Sequence, residues 1–156
     1  MKQFVLYGFG GHGKVVKDTI EKLGGDVVHI FDENNIYNSS IFPNAEMIIA
    51  IGNNDIRKKI ASQVSHKLGT LIHPNAVLGQ DVIIEDGSVV LANAVIQSGS
   101  RIGKNCIINA NVTIDHDVAI EDNISIYPGA YIGGGAKITE SKTVEPNAIV
   151  ARNTVL

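Results

Sequence analysis

The amino-acid sequence predicts two unlike parts: an α/β, Rossmann-like half-domain over residues 1–69 and an all-β parallel β-helix of hexapeptide repeats over residues 70–156. Two observations carry that expectation. Fifteen aliphatic residues recur at a spacing of six, from Ile72, Leu78 and Ile84 through Ile114 and Ile120 to Val150 and Leu156, a period that no ordinary helix or strand has. Ahead of them stand an apolar run, a glycine-rich turn and a helical pattern, in which Gly8, Gly10 and Gly13 have the spacing of a nucleotide-binding turn.

The run Phe4 to Tyr7 predicts a first strand, and Gly8-Phe9-Gly10-Gly11-His12-Gly13 the turn that follows it. Val15, Val16, Ile20 and Leu23 then place an apolar stripe along one helix face. A second strand is expected from Val27 to Phe31, ending at Asp32, and a third from Met47 to Ile51, ending at Gly52-Asn53-Asn54. The next helix carries Ile56, Ile60 and Val64 at i, i+4 and i+8, with Asn53 or Asn54 as its cap. Asp32 stands about where an acid would bind a ribose, but a full dinucleotide fold needs two such halves, so a single nucleotide half-site is expected. Glycines in the turn let backbone N–H groups and a helix N-terminus approach a phosphate. The alternative is a tight structural turn, which has no need of a polar side chain such as His12.

In the second part, small or β-branched residues precede most of the aliphatics by two positions, as at Ala76, Ser88, Ala94, Cys106, Val112 and Ala136, so both columns point inward. Three residues after the aliphatics come Asn75, Asp81, Gly87, Asn93 and their successors to Asn153, and only Ser141 departs from Gly, Asn or Asp, the types that tolerate a left-handed corner. Strands of about three residues separated by such corners close one triangular coil per three hexapeptides, hence about five coils. Each inward aliphatic contributes roughly 1.5–3 kcal/mol against the ordering entropy of its repeat, so stability is collective. Lys142 interrupts the small column within Glu140-Ser141-Lys142-Thr143, which predicts a looser last coil. The strand edges at a solenoid end need protection by charge or association.

A net charge of −3 gives no electrostatic reason to expect nucleic acid or an anionic membrane as partner. Apolar stretches such as Met47 to Ile51 are far too short to span a bilayer, and the amino terminus has no apolar segment resembling a signal peptide, so a cytoplasmic location is expected. The one cysteine, Cys106, falls in an inward column and is expected as a buried, reduced thiol. No residues show metal-ligand spacing; His116 with its two acids is too local to make a metal site.

His29 alternates within a strand, His66 ends a helix and His73 opens the solenoid before Pro74, places where structural or solvated roles are expected. His116 differs. It occupies an outward corner in the middle of the solenoid, flanked as Asp115-His116-Asp117. An imidazole titrates at about pH 6.5, and an adjacent carboxylate orients it and stabilises its protonated form. It is either a general base or an ordinary surface histidine.

Taken together, Gly8 to Gly13, the segment Ile49-Ala50-Ile51-Gly52-Asn53-Asn54-Asp55-Ile56-Arg57-Lys58-Lys59, and Ile114-Asp115-His116-Asp117 with the hexapeptides after it resemble the sugar acyltransferases of the sialic acid O-acetyltransferase type. Within these the likeness is to the UDP-4-amino-sugar N-acetyltransferases of the bacillosamine pathway, and it runs from about residue 3 to about residue 138. The resemblance implies a nucleotide-binding domain ahead of a left-handed β-helix, a homotrimer with its active site between neighbouring β-helices, and acetyl-CoA as donor. His116 would be the general base toward the sugar amine, with Asp117 raising its basicity and no acyl-enzyme formed. Gly10, Gly11 and His12 would hold the UDP-sugar, Asp32 and Glu33 would line its uridine end, and Gly52 would let it approach the third strand. Ser125 stands where close relatives have a histidine that contacts acetyl-CoA. The family's solenoid usually runs on to a Gly-Asn-Pro-Ala-Lys-like segment beyond the Val155-Leu156 of this chain, which implies a shortened CoA groove. O-acetylation of a sugar hydroxyl and a sugar-nucleotide binder without catalysis are the competing functions.

Overall fold

The computed structural model describes residues 1–156. β1 (Gln3–Tyr7), β2 (Asp26–Phe31) and β3 (Glu46–Ile49) form a parallel sheet in the order β2-β1-β3, with α1 (Gly11–Lys22) following β1 and α2 (Asn54–Ala61) following β3. Alternation sends Phe4, Leu6 and Ile48 to one side of the sheet and Val5, Met47 and Ile49 to the other, and both sides are covered, as parallel sheets require.

The helices differ from their predicted stripes. Val16 and Ile20 of α1 are fully buried, but Val15 and Leu23 are 46% and 47% exposed. Val15 is rotated about 100° from Val16 around the axis, and Leu23 is the C-cap, where the chain is already leaving the helix. In α2 the cap is Asn53, whose side chain accepts the Ile56 N–H at 3.0 Å. Ile60 is buried, whereas Ile56 is 51% exposed and Val64 lies past the helix end. The deepest side chain of α2 is instead Arg57, at 1% exposure.

From Leu71 onward the chain is a left-handed parallel β-helix with strands of two residues rather than three. The first face stacks Leu71–Ile72, Val89–Val90, Ile107–Ile108, Ser125–Ile126 and Thr143–Val144, neighbours pairing in register at a step of 18 residues. The second stacks Val77–Leu78, Val95–Ile96, Thr113–Ile114, Tyr131–Ile132 and Ile149–Val150, and the third Ile83–Ile84, Arg101–Ile102, Ala119–Ile120 and Lys137–Ile138. The predicted corners from Asp81 to Asn153 all have positive φ, including Ser141 at 61°, whereas Asn75 does not. At that first corner the ring of His73 accepts the Asn75 N–H instead.

The inward column is buried from Val90 to Val150, while Leu78, in the first coil and with a coil stacked on one side only, is 38% exposed. Lys142 does not loosen the interior: its side chain is exposed, and the flanking Val144 stays buried. Cys106 is fully buried; burial pushes its thiol up to about 11, and it donates to the Glu121 carbonyl. His66 and His73 are also buried, as structural histidines, but His66 lies beyond the α2 C-cap at Ser62 rather than at a helix end.

The amino-terminal unit docks on the first face of the solenoid. Leu71, Val89 and Leu91 pack into one cluster with Phe4, Leu6, Val16, Ile20, Ile48 and Ala50. Each such side chain removed from water contributes roughly 1.5–3 kcal/mol, so the outward residues of this face stabilise the contact between the two parts.

Candidate active site

β1 hands over to the turn at Gly8, whose φ of +91° is closed to most residues, and the Gly8 N–H donates to the Phe31 carbonyl at 2.7 Å. α1 starts without a side-chain cap, so the first amide groups of the helix keep free hydrogen-bonding capacity. A Cβ built at Gly10, Gly11 or Gly52 would meet no heavy atom within 4 Å, so the protein's own packing does not demand glycine there. Gly10, Asp32 and Glu33 line an open cleft of about 740 Å³, walled on the far side by Ile56, Lys59 and Gln63. It lies at the carboxyl ends of the strands, where the strand order reverses about β1 and α/β folds bind ligands. One oxygen of Asp32 accepts the Asn34 and Asn35 N–H groups, both at 2.8 Å, and leaves the other without a protein partner.

A second cavity, of about 170 Å³, opens where the turn meets the solenoid, lined by His12, Gly52, Asn109, Ser125 and Tyr127. His12 Nε2 is buried there without a hydrogen-bond partner. Burial, assisted by the Arg57 guanidinium, pushes its pKa down to about 4, so the ring is neutral at pH 7. Ser125 faces the same cavity, but its hydroxyl is committed: it donates to Asn54 at 2.6 Å and accepts from Arg57 at 3.3 Å.

His116 stands at a corner between the second and third faces. Its Nδ1 lies 2.8 Å from a carboxylate oxygen of Asp117, and its backbone N–H donates to Asp115 at 2.8 Å. With Asp117 ionised, Nδ1 carries the proton and Nε2 the lone pair. The other oxygen of Asp115 accepts the Tyr131 hydroxyl at 3.0 Å; the His116 N–H and then this bond hold the Asp115 carboxyl below its ordinary range. Nε2 faces Gly134, where a Cβ would come within 2.9 Å of it.

All the predicted residues but Gly11 therefore fall into three places. Gly10, Asp32 and Glu33 share the cleft, His12, Gly52 and Ser125 share the smaller cavity, and His116 with Asp117 lines neither. Gly11 sits at the first residue of α1. Two further residues at these sites, Gly134 and Arg57, are not among the predicted ones. Gly134 was within reach, since it stands 18 residues after His116, one full coil on and the same step that separates paired residues on every face. Arg57 lies in the Ile49 to Lys59 segment that carries the family resemblance, but its burial had no signal, because a lone arginine in a helix is ordinarily solvated.

Residues 3–64 match the family model of the PglD N-terminal domain, and residues 99–134 that of the bacterial transferase hexapeptide (six repeats). The chain belongs to the left-handed β-helix, hexapeptide-repeat acyltransferases that carry a PglD-type amino-terminal domain. It is 30% identical to the acetyltransferase domain of PglB from Neisseria gonorrhoeae FA1090, with a TM-score of 0.77 over 100% of this chain and 91% of that one. A structure of that domain in complex with acetyl coenzyme A is 29% identical, with a TM-score of 0.73 over 97% of this chain and 89% of that one. PerB from Caulobacter crescentus, in complex with CoA and GDP-perosamine, is 26% identical, with a TM-score of 0.73 over 100% of this chain and 89% of that one. The UDP-N-acetylbacillosamine N-acetyltransferase of Bacillus subtilis (strain 168) is 30% identical over 115 residues, covering 59% of this chain and 52% of that protein. The match thus spans about half the length of that curated relative. No helix is long and apolar enough to cross a membrane.

Proposed function

We propose that the protein transfers the acetyl group of acetyl-CoA to the amino group of a UDP-linked 4-amino-4,6-dideoxy sugar. The observation that carries this reading is the corner pair, in which Asp117 holds Nδ1 of His116 at 2.8 Å and Nε2 stays open beside Gly134. The amine nitrogen attacks the thioester carbonyl, and Nε2 takes the amine proton as the C–N bond forms. The C–S bond then breaks, and the same proton passes to the departing CoA thiolate. No acyl-enzyme is needed. Such a base contributes about 10²–10⁴-fold, and alignment of amine and thioester supplies much of the rest.

The nucleotide sugar would run from the cleft toward the smaller cavity, with Asp32 and Glu33 at the uridine, Gly10, Gly11 and His12 at its diphosphate, and Gly52 leaving room beside β3. The acetyl-CoA complex of the PglB domain and the CoA and GDP-perosamine complex of PerB support the two ligand classes. Because His116 lines neither cavity, the reading calls for a homotrimer in which one subunit's base meets a neighbour's cleft. The outward column of the second face supports association: Val77, Val95, Thr113, Tyr131 and Ile149 carry no charge, and Val77 and Ile149 are 58% and 78% exposed. Ser125 would contact acetyl-CoA by packing or through a lone pair, since its proton is spent on Asn54. A cytoplasmic location fits a reaction that consumes acetyl-CoA.

That committed hydroxyl also favours a second reading, a sugar-nucleotide binder that has lost transfer. Calorimetric titration with acetyl-CoA separates the two. Saturable binding near one per subunit supports the enzyme; no binding at millimolar ligand, with UDP still bound, supports the binder. For the enzyme, a product that survives mild base is the amide, and one that does not is the ester of O-acetylation.

A further inference from the structure

Arg57 is the only Lys, Arg, Asp or Glu among the buried residues, and no carboxylate pairs with it. Its Nε donates to the Asn105 carbonyl at 2.7 Å. One terminal nitrogen donates to the carbonyls of Ile51 and Gly52, at 2.9 and 3.1 Å. The other donates to Asn54 at 2.7 Å and reaches Ser125 and the Ile124 carbonyl at 3.3 and 3.4 Å. The planar fork of donors is thus spread over the loop after β3, the first turn of α2 and two successive coils. Asn54 extends the link to a third coil, donating to the Lys142 carbonyl at 3.0 Å and to Thr143 at 3.2 Å. Burial lowers the Arg57 pKa to about 10, so the group is still charged at neutral pH. An apolar side chain of similar volume would fill such an interface at a smaller desolvation cost. What it would not supply is a set of directed bonds that admits one placement of the two parts.

We propose that Arg57 is a positioning residue for the nucleotide-sugar site: it fastens the Gly52 loop and the start of α2 to the solenoid, and thereby sets the His12 cavity and the α2 wall of the cleft. The inference rests on the proposed nucleotide-sugar function. The geometry is that of one helix with two duties, since Asn54 and Arg57 turn to the solenoid while Ile56 and Lys59 turn to the cleft. A one-residue rotation of α2 would move both. The charge has a second effect, because with burial it keeps His12 neutral, so a ligand there meets an N–H or a lone pair and not a second cation. Cys106 and Tyr127 are the other titratable groups that face Arg57.

The test uses the full chain with Arg57→Gln and Arg57→Lys, reading UDP affinity by calorimetry, the His12 ring titration by NMR, and folding by circular dichroism. Arg57→Gln is expected to weaken UDP at least tenfold and to raise the His12 midpoint. Arg57→Lys keeps the charge but loses the fork, so the midpoint stays low while UDP weakens at least threefold. If both variants only melt earlier, with UDP affinity and the His12 midpoint unchanged, Arg57 is a structural residue and the proposal fails. Should Arg57→Gln not fold, Arg57→Lys decides, and wild-type UDP affinity in it overturns the proposal. If the unmodified protein binds no UDP, the nucleotide reading is lost, and the His12 midpoint still judges whether Arg57 controls that ring.

Discussion

Replacing Gly134 by alanine places a methyl group 2.9 Å from Nε2 of His116, 3.2 Å from Cε1 and 3.4 Å from Cδ2. Carbon and nitrogen rest comfortably at about 3.5 Å, so the ring must withdraw by about 0.6 Å. The imidazole can yield, since its side chain is 48% exposed and a single bond to Asp117 holds the ring. A displacement of about 1 Å in a reacting group costs about 100-fold, which scales to a loss of roughly 15-fold. If the ring swings clear altogether, the loss approaches the full contribution of a base, about 10²–10⁴-fold. Turnover in Gly134→Ala is therefore expected to fall by about 10–100-fold, with less than about 1 kcal/mol of destabilisation because no left-handed backbone is involved. CoA release can be followed with a thiol reagent, because the one protein thiol, Cys106, is fully buried. The neighbouring Gly135→Ala is the control: with φ at +70° and its Cβ directed at Asn153, it should lose stability first, by about 1–2 kcal/mol. Full turnover in a folded Gly134→Ala would refute the idea that chemistry reaches Nε2 from that side.

His116→Ala should lower turnover at least a hundredfold with association intact by sedimentation, and a rate within tenfold of the parent rejects the base assignment. Asp32→Ala should weaken the UDP-sugar with little effect on acetyl-CoA; equal weakening of both counts against separate sites for the two ligands. His12 has a folded pKa of about 4 against 6.5 for the free ring, so between those values the unfolded chain binds a proton that the folded chain does not. Its contribution is complete above pH 6.5 and is lost as pH falls toward 4, a total of about 3 kcal/mol. Denaturant unfolding at both pH values should show a smaller difference for His12→Asn than for the parent, and identical differences would dismiss the effect. Ile149→Glu on the exposed second face should reduce the sedimenting mass to that of a monomer; an unchanged mass places the interface elsewhere.

The repeat of six determined the solenoid by itself, because each position in it answers a local question: whether a side chain faces inward, or whether a backbone can turn left-handed. Hence Val90 to Val150 are buried in one column, and the corners from Asp81 to Asn153 have positive φ. The glycine turn and its strand and helix were legible for the same reason. The helix stripes misled at Val15 and Ile56, since periodicity marks an apolar face without saying which neighbour covers it.

Only the tertiary structure decided how the surfaces meet. Arg101 and Lys137 mark the third face as solvated, but nothing local separates the uncharged outward residues Leu71, Val89, Ile107, Ser125 and Thr143 of the first face from those of the second, yet the amino-terminal unit docks on the first. Ser125 is bound to a residue 71 positions away, and Asn54 to one 88 away. Whether Arg57 is solvated or buried, and whether a serine hydroxyl is free or spent, depends on those distant pairings. The separation of His116 from the cleft has the same origin: the corner is set by its place in the coil, and the cleft by which face the other part covers.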